Sequence, residues 1–219
     1  MYTTFMDDRE VEVLFGDFDS GFKARTGHLS SRLDYVKLLW EQALNQLSAQ
    51  ETAQAKSVLE FAKSISYNHV GVSSQEYLLH PIRVASFGGL LNIGNRLLSI
   101  KTGLLHNVYE LADVTSENII AVCGETVDLA LKTLRVDRGR QNDCDYLENY
   151  YKAIVLLPNN LGIIKVLDKI DNLYTLNMTA PKSIKNSYLD EINKFLTPLS
   201  RRISPFLNNT LSNLVEALN

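Results

Sequence analysis

Cysteine is nearly absent. Cys123 and Cys144 are the only two among 219 residues, and neither sits in a CxxC spacing. A disulfide framework and a zinc knuckle are therefore not expected. Such usage suits a reducing compartment, and a cytoplasmic location is the expectation. Surplus positive charge is also missing. A formal charge of −3 leaves no basic footprint, so no nucleic-acid partner is expected. No stretch approaches the roughly 18 consecutive apolar residues of a membrane span, so no membrane partner is expected either. The first dozen residues carry Asp7, Asp8, Arg9 and Glu10 and no apolar core of a secretory signal. Prolines and glycines, five and eleven, fall between periodic segments, as a helical bundle requires.

What is present is an ordinary globular composition. With 45% apolar and 21% charged residues, the chain can bury a real core in one large domain with a short extension. Residues 1–30 stand apart from the rest. Val11 to Phe15 alternates weakly and Gly16 to Gly21 reads as a turn, so this segment is expected to be a hairpin or an irregular arm. Residues 31–219 are expected to form an all-α domain.

The helical period is clear from Ser31 onward. Leu33, Val36, Leu39, Trp40, Ala43, Leu44 and Leu47 share one face. Ser48 with Glu51 predicts a capping box that opens a second helix through Ile65. Polar residues 67–76 predict a loop. A third helix is predicted from Tyr77–Pro81 until Gly88-Gly89 weakens it, and a continuous, buried fourth over 95–111. Shorter helices follow near 116–122 and 125–134. Arg135 to Asp145, with three arginines and three aspartates, predicts an exposed loop. Helices over 146–157 and 161–178 come next, then a last one from Ser183 that Pro198 and Pro205 interrupt.

Polar residues on apolar helical faces mark the candidate chemistry. His80 stands at a helix start, His106 lies in the most apolar helix, and Asp168 lies inside another apolar helix. Glu110 follows His106 by four residues, so a continuous helix puts both on one face. Imidazoles and a carboxylate converging in a helical core suit a divalent metal, whose charge compensates the burial of Asp168. Water activated at such a site could attack phosphorus. Taken singly, each residue has a plainer explanation. A lone buried histidine is usually a hydrogen-bonded core residue, and Asp168 could simply pair with Lys165 or Lys169.

Order and context favour the chemistry. Tyr77-Leu78-Leu79-His80-Pro81, then Leu104-Leu105-His106-Asn107, then Leu167-Asp168-Lys169-Ile170-Asp171-Asn172-Leu173 resembles the HD-domain hydrolases of the RelA/SpoT family and their small stand-alone relatives. The likeness runs over roughly residues 55–200. It implies an HD-like helical bundle and an enzyme that removes the 3′-pyrophosphate of guanosine tetra- and pentaphosphate using Mn²⁺. It also implies metal ligands at His80, His106, position 107 and Asp168, with a water-orienting acid or general base at Glu110. Tyr77 and Asn172 fall at the substrate, and Arg138 is a candidate contact to a phosphate-bearing ligand at the pocket rim.

Three departures from the family pattern weaken that activity. The family's metal-binding aspartate is Asn107, a neutral and poorer ligand for Mn²⁺. The expected Glu-Asp pair is Glu110-Leu111. The basic residues before the Tyr-(x)₂-His-Pro motif are replaced by Gly71-Val72-Ser73-Ser74-Gln75. The resulting expectation is a divergent HD-domain protein with a weakened Mn²⁺ site and weak or lost hydrolysis of a nucleotide or phosphate ester. The alternative is a metal-free HD-like binding or regulatory module acting through a protein or nucleotide partner. An HD oxygenase chemistry ranks last, since it calls for a second metal and more histidines than the four present.

Overall fold

The computed structural model describes residues 23, 25–69, 72–179 and 182–218, and all regular structure among them is helical. In chain order the helices are α1 (Leu29–Leu44), α2 (Ala49–Ser64), α3 (Ser74–Tyr77), α4 (Leu79–Leu90), α5 (Arg96–Leu105), α6 (Val108–Leu111) and α7 (Ser116–Cys123). They continue with α8 (Glu125–Leu134), α9 (Cys144–Leu156), α10 (Asn159–Thr179), α11 (Lys182–Glu191), a π turn (Ile192–Leu196), α12 (Thr197–Ile203) and α13 (Pro205–Leu218). The all-α expectation is met. The hairpin or arm expected over residues 1–30 lies largely outside the described residues.

Local chemistry explains most boundaries. Ser48 Oγ accepts from the Glu51 N–H at 3.3 Å while Glu51 Oε2 accepts from the Ser48 N–H at 2.9 Å, closing the expected capping box. Within the polar stretch 67–76, the described residues 67–69 and 72–73 are loop, and Ser73 caps the single turn of α3. Gly88 and Gly89 do not end α4, which continues to Leu90. Pro205 opens α13 after the extended Ser204 and interrupts the last segment as expected, whereas Pro198 falls in the first turn of α12, directly after the π turn, within a helical run that continues from α11.

Three helices form the centre. α4 packs on α1, α5 and α10, and α5 also packs on α10. Val84, Ala85, Ile100, Leu104, Ile164 and Val166 are buried there. Contact between α4 and α5 is close enough to require glycine. A Cβ on Gly103 would lie 2.6 Å from Ala85 Cα, a backbone atom that cannot move aside without parting the helices.

One expectation needs correction. The predicted continuous helix over 95–111 breaks at His106–Asn107 into α5 and α6. Asn107 leaves helical geometry at φ −106° and ψ 10°. The cause is local. His106 Nδ1 donates to the Gly103 carbonyl at 2.8 Å, the group that an unbroken helix would assign to the Asn107 N–H. Glu110 consequently loses the helical phase that would have placed it with His106.

Candidate metal centre

α4, α5 and α10 each deliver one side chain to a common point. His80 comes from the first turn of α4, His106 from the end of α5 and Asp168 from the middle of α10. His80 Nε2 is 3.2 Å from His106 Nε2 and 3.2 Å from Asp168 Oδ1. His106 Nε2 is 3.6 Å from the same oxygen. Three atoms with lone pairs gather here, and the residues converge as the sequence order suggests.

The opposite ring nitrogens are already committed. His106 Nδ1 can only donate to its partner, because that partner is the Gly103 carbonyl. His80 Nδ1 donates to Asp171 Oδ2 at 2.8 Å. Both imidazoles are thereby oriented with Nε2 facing Asp168, the arrangement by which outer partners fix metal-ligating histidines. Ligand atoms about 2.1 Å from a shared ion lie about 3.0–3.5 Å apart, and the donor set suits a divalent cation. His80, His106 and Asp168 therefore fit a metal ion.

Charge at the centre is tightly compensated. Burial would raise Asp168, but Lys165 and the two histidines hold its carboxyl well below the usual carboxylate range. Lys165 Nζ donates to Asp168 Oδ2 at 3.0 Å, and Asn172 Nδ2 donates to Oδ1 at 2.8 Å. Lys169, the other suspected partner, turns instead to Glu191 at 2.8 Å. Burial would lower the His80 imidazole, yet Asp168 and Asp171 outweigh it and raise the ring to about 9.

Sequence reasoning missed the residues behind the ligands. Asp171, three positions after Asp168, accepts two bonds from Arg83, Nε to Oδ1 and Nη2 to Oδ2, each at 2.8 Å. It accepts a third from Arg25 Nε at 3.0 Å. The spacing signal existed for two of them, since Arg83 follows His80 as Asp171 follows Asp168, by one helical turn. Arg25, 146 residues from Asp171, gave none.

The remaining candidates sit elsewhere around the centre. Asn107 is half-buried beside His106 and hydrogen-bonds the Tyr77 phenol. Tyr77 is buried between the rings of Tyr67 and His69, and burial pushes its phenol up. Glu110 does not join the histidines. Its Oε1 accepts from the Val136 N–H at 3.0 Å and its Oε2 pairs with Arg138 at 3.2 Å. These residues line a groove of about 590 Å³ with Arg135, Asp137, Gly139 and Tyr146. The expected loop runs over 135–143, ending where α9 begins at Cys144, and is largely exposed, with Arg140 paired to Asp143 at 2.8 Å. Among the described residues no helix is long and apolar enough to cross a membrane.

No family model matches the chain. Individual relatives do match. A Vibrio cholerae protein named guanosine-3′,5′-bis(diphosphate) 3′-pyrophosphohydrolase is 28% identical over 149 residues, which are 66% of this chain and 20% of that protein. One of the same name from Aquifex aeolicus is 26% identical over 182 residues, 82% of this chain and 25% of the relative. A Synechocystis protein, "Probable guanosine-3′,5′-bis(diphosphate) 3′-pyrophosphohydrolase", is 24% identical over 172 residues, 75% of this chain and 22% of the relative. The chain thus spans about a fifth to a quarter of the length of the curated relatives it matches. With an all-α HD-like fold and the motif residues brought together, the chain is a divergent, distant relative of the guanosine-3′,5′-bis(diphosphate) 3′-pyrophosphohydrolases.

Proposed function

We propose that the chain is an HD-like domain that binds Mn²⁺ and a nucleotide or phosphate ester, and hydrolyses alarmones weakly or not at all. The observation carrying this is the convergence of His80 Nε2, His106 Nε2 and Asp168 Oδ1, each histidine oriented through its Nδ1. A bound divalent cation would supply Lewis-acid polarisation of a phosphoryl oxygen and acidify a nearby water. The protein's own residues set the limits. Asn107 offers a neutral amide where a carboxylate would add charge. Glu110 accepts from the Val136 N–H and pairs with Arg138, bonds that compete with water for its lone pairs. Arg138, more than half exposed, is the proposed donor to a phosphate at the groove. Tyr77 and Asn172 flank the centre and are the remaining candidates for contact with the ligand. Loss of a positioned acid costs about 10²–10⁴-fold in rate.

The test is pyrophosphate release from guanosine tetraphosphate with Mn²⁺, comparing the chain and His106→Ala with an intact alarmone hydrolase. Release lower by about 10² or more, and removed by His106→Ala, is the expected result. Release at the intact enzyme's rate would overturn the proposed weakness. A metal-free module is the second proposal, favoured by one observation: Lys165 neutralises Asp168 from within the protein.

A further inference from the structure

The carboxylate behind His80 is held by two arginines from separate elements of the fold. Arg83 grips both oxygens of Asp171 from α4, the helix that also carries His80. Arg25 reaches Oδ1 from before α1, and its side chain is 0% exposed. Its guanidinium lies 3.8 Å from the Tyr174 ring centroid, on α10, with the rings of Tyr35 and Phe87 at 5.5 and 5.9 Å. Arg25 is thus enclosed by α1, α4 and α10, the last two of which carry His80 and Asp168.

Burying a guanidinium is costly, and one carboxylate with one arginine would already be charge-balanced. The second arginine does something different. Arg83 holds both oxygens of Asp171 as a two-point fork, but only from α4, the helix that carries His80. Arg25 adds a third bond, to Oδ1, from outside that helix, so the carboxylate is also anchored where Arg25 packs on α1 and α10, and Oδ2 is held towards His80 Nδ1 from two elements. That bond sets the rotation of the His80 ring and the direction of its Nε2 lone pair. Outer partners of this kind change metal affinity by about 10–100-fold when removed.

We propose that Arg25 is a positioning residue of the metal centre, acting through Asp171 on His80. Arg83 forms the fork on the carboxylate and Arg25 ties that carboxylate to a second part of the fold. This inference rests on the proposed Mn²⁺ site. It adds that the centre is incomplete without a residue far from every ligand in sequence.

The experiment titrates Mn²⁺ alone into metal-stripped full chain by calorimetry, using wild type, His106→Ala, Arg25→Lys and Arg25→Met. Thermal unfolding of each metal-free protein is recorded alongside. If wild type and His106→Ala both fail to bind, the proposed Mn²⁺ site fails and this inference falls with it. If wild type binds in a His106-dependent way, Arg25→Lys becomes decisive. Lysine keeps the buried charge but lacks the planar fork that stacks on Tyr174 while donating to Asp171. The expected result is about tenfold weaker Mn²⁺ binding with little change in unfolding midpoint, and a larger loss in Arg25→Met. Wild-type affinity in Arg25→Lys would overturn the proposal. So would a loss of affinity that merely follows a matching loss of metal-free stability, which would give Arg25 a packing role. Arg25→Lys alone decides the outcome if Arg25→Met does not fold.

Discussion

The two halves of the centre are built differently. The ligand half, His80, His106 and Asp168 with Asp171 behind them, joins three buried helices through bonds spanning 26 to 146 residues. The acid half, Asn107, Glu110 and the 135–143 loop, follows the break after α5. Its carboxylate, Glu110, is tied by an exposed guanidinium and one backbone N–H. In the ligand half each histidine nitrogen facing away from the centre has a partner that fixes its direction. In the acid half the Glu110 carboxylate is already bonded to the Val136 N–H and Arg138. The contrast bears on the proposed function: the three candidate ligands converge, whereas the candidate acid is hydrogen-bonded to the Val136 N–H and Arg138.

The contrast is broken most severely by removing the carboxylate that unites the ligand half. Asp168→Ala leaves Lys165 buried without its counter-ion and strips a partner from both histidines. We expect a loss of about 3–5 kcal/mol in urea unfolding of metal-free protein. A loss under about 1 kcal/mol would show that the ligand half is less integrated than its bonds indicate.

Acid and base should also expose the ligand half. In metal-free protein His80 titrates near 9, above its ordinary value of about 6.5. Its contribution is complete below about pH 6.5 and is lost as pH rises towards 9. Asp168 and Asp171 are depressed, so theirs is present above about pH 4 and is lost as pH falls further. Thermal midpoints of chelator-treated protein should therefore decline on both sides of about pH 5–6.5. A midpoint that climbs steadily from about pH 6.5 to 9 would contradict the His80 assignment.

Asn107→Asp sharpens the contrast by restoring charge to the acid half. About tenfold tighter Mn²⁺ binding is expected, because ligand charge tunes hard-cation affinity. Unchanged affinity would show that position 107 stays with Tyr77 and takes no part in binding. Arg138→Ala should have the smallest effect on folding, within about 1 kcal/mol, since the pair it breaks is largely open to solvent on the arginine side. Any hydrolysis present should fall with the loss of the proposed phosphate donor, while a rise would give Arg138 only the role of restraining Glu110.

Much of the ligand half was legible in the sequence. Periodic apolar residues announced α1, α2 and α10, and His80, His106 and Asp168 stood on apolar faces where an unpaired polar group is costly. The break after α5 was not legible, because it depends on an imidazole taking a carbonyl three residues back. Glu110 follows that break, so its position relative to His106 could not be read from one continuous helix. Asp171 resembled one more helix carboxylate until Arg83 and Arg25 closed on it. Such a clamp is a product of tertiary packing, which local patterns do not encode.

The most direct test of the central claim is calorimetric titration of Mn²⁺ into metal-stripped chain, beside His106→Ala. The account predicts one ion bound per chain in the micromolar range, with binding lost or weakened by at least about 10²-fold in the variant. No binding by either protein, or equal binding by both, would contradict it.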